Sequence, residues 1–355
     1  MSTSERNMLP AKFNDVDSVD DGVMRAVVCT APDPQMDNLA LMDAPRPLPG
    51  KGQVRVRMAA ASLNPVDWKL ASGFAPWWQG TGAHIVGLDG AGIVDSLGDG
   101  VCGWAPGDRV VWHGDLNRQG VLAEYALADA HVLSRIPEGV GFTSAAALPC
   151  AALTAYQALV RKARLERGQT VLIQGAGGAV GGFAVQIARS IGATVIALAS
   201  ERHRDRVLAL GADHVLDRRS AELRQTVRGL TGGYGADVML EVANPGDARL
   251  SLDLIRYNGQ LLCVDPLPDL SHVCAYTYAA SIHEVALGGA YAAGHLPTQR
   301  DFAIMGDALL ALLANGRLDP LIERIVPLTS AAAELRAMRH ASPGGKIVIE
   351  IREGA

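Results

Sequence analysis

The stretch VLIQGAGGAVGG, Val171 to Gly182, limits the possible folds more than any other part of the chain. An apolar run breaks there into five glycines within eight positions, Gly175, Gly177, Gly178, Gly181 and Gly182. A strand ending at Gln174, a glycine turn and a helix from near Gly181 compose the first βα unit of a dinucleotide-binding sheet. At such a helix start the free N–H groups and the helix dipole hold a pyrophosphate, and glycine lets the backbone approach it. The strict spacing G-x-G-x-x-G fails, because Val180 stands where a third glycine would follow Gly175 and Gly177; the shifted spacing G-x-x-G-x-x-G fits Gly175, Gly178 and Gly181. The residues read as phosphate-binding are therefore Gly175, Gly177, Gly178, Ala179, Val180 and Gly181. A purely structural turn would use the same glycines, so the weight of this reading comes from its surroundings.

From Pro149 onward the chain alternates strand and helix: TVLIQ and a helix to Ser190, TVIALA and a helix from Arg204 to Leu210, then DHVLD, ADVMLEV and GQLLCVD. That rhythm predicts a parallel, doubly wound sheet. Upstream, short β-rich runs such as MRAVVC, GQVRVRMAAAS, GAGIVDSL and DRVVWH are separated by Gly, Pro and Asp turns, which predicts a compact and mostly antiparallel β domain. Near the end an amphipathic helix is expected from Phe302 to Leu313, and GGKIVIEI is a strand with no helix after it, expected to return to the first domain. A chain of 355 residues is long enough for two such domains, each with its own core.

Bulk properties exclude several classes of function. Apolar residues make up 49% and charged residues 19% of the chain, the profile of a soluble α/β enzyme. A net charge of −5, with no Lys/Arg stripe interleaved with aromatics, argues against a nucleic-acid partner. The five cysteines, Cys29, Cys102, Cys150, Cys263 and Cys274, show no paired spacing, which points to a reducing compartment and a cytoplasmic location. Residues 1–22 carry acids and no apolar stretch, so they are expected to form a loose tail and not a secretory signal. Gly168 to Arg189 encloses an uncharged run long enough to span a membrane, but its clustered glycines and small residues favour a buried strand, turn and helix.

The second strand of a dinucleotide fold bears on the choice of nicotinamide cofactor. An NAD site usually ends that strand with an acid, which binds the ribose 2′-OH and repels a 2′-phosphate. Here the strand closes on Ala199 and Ser200, followed by Glu201, Arg202, His203 and Arg204. Small, hydroxyl and basic groups suit a phosphate, so Ser200, Arg202 and Arg204 are assigned to NADPH. Glu201 argues for NADH, and a solvated helix start would carry similar charges.

Several phrases occur in one order: NPVDWK at Asn64 to Lys69, GLDGAGIV at Gly87 to Val94, GDRVV at Gly107 to Val111 and GVLAEYA at Gly120 to Ala126. AAALPCAALTAYQAL at Ala145 to Leu159, LGADHVLD at Leu210 to Asp217 and GGKIV at Gly344 to Val348 follow. With the glycine loop they resemble the medium-chain dehydrogenase/reductase superfamily and, within it, the zinc-independent quinone oxidoreductase branch, from about Val23 to the end of the chain. The resemblance implies an α/β architecture: a GroES-like, mostly-β catalytic domain built from residues 23–149 and 290–355, and an inserted Rossmann domain, residues 150–289, with the active site in the cleft between them. It also implies a homodimer joined at the sheet edge near His283 to Leu287. Zinc alcohol dehydrogenases of this superfamily carry a cysteine in the segment matched by Asn64 to Asp67, a His-Glu pair where this chain has Leu88 and Asp89, and a four-cysteine lobe. Neither those cysteines nor that histidine occurs here, so no catalytic zinc of that type is expected.

A reductase without a Lewis acid is suited to acceptors that are already electron-poor, such as quinones and α,β-unsaturated carbonyls. The expected function is NADPH-dependent hydride transfer to such compounds. An enoyl or enone reductase with a defined metabolic substrate, or a non-catalytic NADPH-binding redox sensor, is the alternative. By the resemblance, Thr154, Asn64 and Asp67 stand near the nicotinamide and substrate, though NPVD also reads as a capped turn. Val264, Asp265, Leu287 and Gly288 match stretches whose backbone reaches the nicotinamide. Phe74, Trp77 and Trp78 are read as an aromatic wall for a planar acceptor, or as a loop core or dimer contact. The proton donor is unassigned; His113 and His84 are candidates on titration range alone, and Cys150 has no basic neighbour in the sequence to make it a thiolate.

Overall fold

The computed structural model describes residues 19–74, 82–242, 248–264, 267–341 and 343–352. They divide into two compact units, one of the described residues between 19 and 135, 325 and 341, and 348 and 352, the other of those between 136 and 324 and between 343 and 347.

The first unit begins with strands β1 (Val19–Cys29), β2 (Leu39–Pro47) and β3 (Gln53–Ser62) and helix α1 (Pro65–Ala71). Strands β4 (His84–Ile85), β5 (Asp89–Leu97), β6 (Arg109–His113), β7 (Tyr125–Asp129) and β8 (Ser134–Arg135) follow. Along β3, Val54, Val56 and Met58 are buried while Gln53, Arg55 and Arg57 are only half-buried, the period-two signature of a strand with one covered face. β3 pairs antiparallel with β5 and β7, β5 with β6, and β6 with β8, while β1 pairs with β2 and β4 in a second sheet.

In the second unit, helices α2 (Phe142–Ala146) and α3 (Pro149–Tyr156) precede β9 (Thr170–Gln174), α4 (Ala179–Ile191), β10 (Thr194–Leu198), α5 (Arg204–Ala209) and β11 (His214–Leu216). Then come α6 (Leu223–Leu230), β12 (Ala236–Glu241), α7 (Arg249–Leu252), β13 (Ile255–Cys263), β14 (Ser281–Glu284), α8 (Gly289–Ala292) and α9 (Leu296–Ala314). The strands run β11-β10-β9-β12-β13-β14, with parallel pairing throughout. This doubly wound order reverses direction between β9 and β12, and ligands of such sheets sit at the carboxyl ends of the strands at that point. The chain closes with β15 (Ile322–Pro327), α10 (Ala331–His340) and β16 (Lys346–Glu350). β16 lies antiparallel on β3, Val348 opposite Ser62, so the terminal strand does return to the first unit.

Every residue of α4 from Gly181 to Ala188 is buried. Phe183 and Ile187 each contribute about 2 kcal/mol by leaving water. Gly192 ends the helix in the left-handed conformation at φ +90°, its N–H bonded to the carbonyls of Ala188 and Arg189. This buried helix accounts for the long uncharged run. Among the described residues no helix is long and apolar enough to cross a membrane.

The unit boundaries differ from those expected. They fall after Arg135 and Arg324 instead of near 149 and 289, because the flanking segments pack on the parallel-sheet unit. Helix α3 lies against α4 and α9. A methyl group on Gly182 would come within 2.8 Å of Leu321 Cδ1. Helix α9 starts at Leu296, ahead of the expected Phe302, with Pro297 in its first turn where a missing N–H costs nothing. Gln186 ties α4 to the chain beyond α9: its Nε2 donates to the Asp319 carbonyl at 3.2 Å, and the Asp319 N–H donates to its Oε1 at 2.6 Å. Gln186→Ala would leave both backbone groups unpartnered beside a buried helix. The expected loss is about 2 kcal/mol, read as a lower urea midpoint at unchanged m-value.

Candidate active site

The glycine turn lies at the carboxyl end of β9, at the sheet's switch point. Gly175 has φ +71°, and a Cβ on it would meet Val242, just beyond β12, at 3.4 Å. A Cβ on Gly181 would overlap the Gly175 carbonyl oxygen and lie 2.6 Å from Ala176 Cα, so helix and turn are in backbone contact. Ala179, Val180 and Gly181 form the first turn of α4, whose N–H groups have no acceptor within the helix. A helix start whose N–H groups lack helical acceptors, placed against a glycine turn, has the polarity that suits a pyrophosphate.

Beyond β10 the sequence-assigned cations take different directions. Ser200 precedes a short 3₁₀ turn, Glu201 to His203. Arg204 Nη1 donates to the Val215 carbonyl at 3.0 Å and lies 4.0 Å from Glu201, so its guanidinium is held against β11. Arg202 Nε instead donates to His203 Nε2 at 3.0 Å. The His203 ring lies on the glycine loop, 2.6 Å from where a Cβ on Gly177 would stand. Arg206, which carried no signal in the sequence, hydrogen-bonds the Gly177 carbonyl. Burial first, then Arg202 and Arg206, lower the His203 pKa, opposed by Glu323.

Val264 follows β13, its N–H on the Glu241 carbonyl at 3.0 Å; Val285, just past β14, donates to the Cys263 carbonyl at 2.8 Å. Val264, Leu287 and Gly288 therefore follow the carboxyl ends of neighbouring parallel strands, on the same edge of the sheet as the glycine turn. Asp265, Trp77 and Trp78 lie outside the described residues. Thr154 is buried in α3, where its hydroxyl donates to the Cys150 carbonyl at 2.7 Å. Its proton is committed to its own helix, and only its lone pairs remain to accept a bond from an amide.

Asn64, Asp67 and Phe74 belong to the first unit. The Asn64 N–H donates to Asp67 Oδ2 at 2.7 Å and the Asp67 N–H to the Asn64 carbonyl at 3.0 Å, so the NPVD segment is a capped helix start. The Asn64 side-chain amide also reaches beyond that cap. Its Nδ2 donates to Asp89 Oδ2 at 2.8 Å, an oxygen that also accepts from Ser62 Oγ at 3.0 Å. Asp89 is fully buried and stands opposite His113 in the β5–β6 register. Sequence reasoning passed over Ser62 and Asp89 as a buried polar pair; an acid within the apolar run IVGLDGAGIV was the available signal. His84 is buried in β4, and desolvation lowers its pKa to about 4, so it is uncharged at neutral pH. Phe74 is 74% exposed, tilted against Trp68 with ring centroids 6.2 Å apart. A cavity of about 520 Å³ in the same unit, bordered by Met24, Lys51, Arg118 and Tyr125, includes neither Asn64 nor Asp67.

Comparison with known proteins agrees with both units. Residues 50–138 match the alcohol dehydrogenase GroES-like domain and residues 179–289 the zinc-binding dehydrogenase family. The phthioceranic/hydroxyphthioceranic acid synthase of Mycobacterium tuberculosis (strain ATCC 25618 / H37Rv) is 33% identical over 335 residues, which are 92% of this chain and 15% of the synthase. The chain thus spans a small part of that relative's length. The quinone oxidoreductase of Sus scrofa is 32% identical over 315 residues, 86% of this chain and 92% of that one. The crystal structure of an alcohol dehydrogenase superfamily protein from Novosphingobium aromaticivorans has a TM-score of 0.84 at 30% identity, covering 93% of this chain and all of that one. A relative aligned over nearly its whole length, with a domain match in each unit, makes the chain a member of the medium-chain dehydrogenase/reductase superfamily, oxidoreductases that work with a nicotinamide cofactor.

Proposed function

We propose that the chain is a zinc-independent, NADPH-dependent reductase of quinones and other electron-poor conjugated carbonyl compounds. The observation that carries the cofactor choice is the end of β10, where Ala199 and Ser200 close the strand and Arg202 follows, while the one acid there, Glu201, lies 4.0 Å from Arg204. Arg202, half a step from the glycine loop through His203, is the cation best placed for it. Arg204 has the weaker claim, since its guanidinium is bonded to β11.

A nicotinamide cofactor, when bound, would supply the hydride. The glycine turn and the first turn of α4 would hold the pyrophosphate, and Arg206 fixes the loop by its bond to the Gly177 carbonyl. Val264, Leu287 and Gly288 would border the nicotinamide end of a bound cofactor, and Thr154 would offer its lone pairs to the carboxamide. On the substrate side Asn64 is oriented by Asp89, and Asp67 fixes the helix start that carries it. The zinc-free reading rests on residue types: Leu88 cannot ligate a metal, and Asn64 to Asp67 contain no cysteine. An acceptor that needs no Lewis acid follows from that, and quinone reduction takes its protons from water. The relation to a quinone oxidoreductase supports the acceptor class.

The test is cofactor consumption by metal-stripped protein with a panel of benzoquinones, conjugated enones and enoyl thioesters. Turnover with NADPH is expected to exceed turnover with NADH by about tenfold or more in kcat/KM, the worth of one charge-assisted hydrogen bond. Activity that appears only when zinc is restored, or a preference for NADH, would overturn the reading. The same reading carries a homodimer joined along β14, the last strand of the parallel sheet; sedimentation equilibrium checks it.

A further inference from the structure

We propose that His203 makes the choice between cofactors proton-linked, so that NADPH is bound together with a proton taken up at this imidazole while NADH is not. The inference rests on the NADPH reading above and adds to it a residue that senses the 2′-phosphate by its protonation.

Position comes first. The ring is seated on Gly177, its Cδ2 2.6 Å and its Cγ 2.9 Å from the place a Cβ there would occupy, and its Cε1 lies 3.2 Å from the equivalent point on Gly344. It is thereby fixed between the middle of the phosphate-binding turn and the chain before β16. In a doubly wound sheet the adenosine ribose lies between that turn and the end of the second strand, here β10. His203 is three residues beyond Ser200 and faces the turn, so a group on the ribose 2′ oxygen comes to the side of the ring where Arg202 also reaches.

The charges around the ring set its protonation before a ligand binds. Arg202 Nε donates to Nε2, a bond that requires a lone pair on that nitrogen and therefore a neutral ring. Arg206, from α5, faces the ring from the loop side while bonded to the Gly177 carbonyl. Partial burial first, and then both cations, favour the neutral form. The opposing charge is Glu323 of β15, whose carboxylate already accepts from the Gly345 N–H at 3.1 Å and from Arg324 at 2.8 Å. The resting site thus holds two guanidinium groups and an uncharged imidazole.

A phosphate dianion reverses that balance. Arg202 turns its N–H groups to the phosphate oxygens, which frees Nε2; the ring then binds a proton from solvent and donates to the phosphate as an imidazolium. Nothing else changes bonding, and the net step is uptake of one proton with the ligand. The sign is distinctive. A 2′-phosphate monoester has its own second pKa near about 6, and binding its dianion releases a proton in acid solution, whereas His203 takes one up at neutral pH. Because the bound-state pKa lies above the free one, NADPH affinity falls as pH rises through the bound value.

The experiment titrates the full chain with NADPH and with NADH by cofactor fluorescence from about pH 6.5 to about pH 8, where the expected weakening for NADPH is about fivefold and that for NADH is negligible. Calorimetry in two buffers of different ionisation enthalpy counts the protons directly on the unaltered protein, so the result does not depend on a variant folding. His203→Gln, which keeps a hydrogen-bonding side chain of similar reach over Gly177, should remove the proton uptake and flatten the NADPH curve. NADPH binding tighter than NADH with no proton uptake, or with uptake retained in His203→Gln, overturns the role of His203 and leaves the cofactor reading standing. NADPH binding no tighter than NADH at any pH overturns both.

Discussion

Gly181→Ala is expected to abolish binding of either nicotinamide cofactor and to lower stability by about 3 kcal/mol or more. The added methyl would overlap the Gly175 carbonyl oxygen and stand 2.6 Å from Ala176 Cα. Both obstacles are backbone, and the chain they belong to is the phosphate-binding turn itself, anchored by the Gly178 N–H on the Gly175 carbonyl at 3.0 Å. Relief requires the turn to move off α4, which separates the cradle from the helix N–H groups it works with. Gly177→Ala is the informative contrast. Its methyl meets the side chain of His203, 2.6 Å away at Cδ2, and a side chain can rotate where a carbonyl cannot. That variant should fold with a nearly unchanged urea midpoint and bind cofactor about tenfold more weakly, a loss near 1.4 kcal/mol. Urea unfolding and cofactor fluorescence on both variants provide the check. Equal stability losses at the two positions would mean that the contact between turn and helix is not what requires glycine at Gly181.

What the sequence disclosed and what it concealed follow from the range of the interactions involved. The strand, turn and helix around Gly175 were readable because each part has a local cause: apolar residues for β9, glycines for the turn, and small apolar residues for α4. The parallel order was readable from alternation, and β16 from having no helix after it. The unit boundaries were not, because the packing of α3 and α9 on the parallel-sheet unit, and the Gln186 to Asp319 bonds, join residues far apart in sequence. Helix α9 begins six residues ahead of the amphipathic stretch that announced it, because Pro297 is accommodated in its first turn.

The site was readable to a similar depth. Glycines announce a phosphate cradle, but the directions taken by Arg202, Arg204 and Arg206 depend on the turn after β10 and on which carbonyls lie within reach. Three arginines in five positions look alike in a sequence; in the structure one meets His203, one β11 and one Gly177. In the first unit NPVD read equally as a site or a capped turn. It is a capped turn whose first side chain also bonds Asp89, a residue of another strand.

That partner supports the other large prediction. Asp89 opens β5 opposite Ser62 of β3 and His113 of β6, and one of its carboxylate oxygens accepts from both Ser62 Oγ and Asn64 Nδ2. Asp89→Ala would leave those two donors buried without this acceptor, at an expected cost of about 3 kcal/mol. Asp89→Asn keeps the shape and one acceptor oxygen and should cost about 1 kcal/mol. If Asn64 acts on the substrate side, losing its fixed orientation should also lower kcat/KM with a quinone by about tenfold, equivalent to about 1.4 kcal/mol of transition-state stabilisation. The Kd for NADPH should not change, because the glycine cradle belongs to the other unit. Asn64→Ala separates the two effects: it removes the oriented amide but leaves Asp89 its bond from Ser62, so the kinetic loss should match that of Asp89→Ala while the stability loss is smaller. Full activity in a folded Asn64→Ala protein would reduce the Ser62–Asp89–Asn64 arrangement to a structural clasp and remove Asn64 from the substrate side of the mechanism.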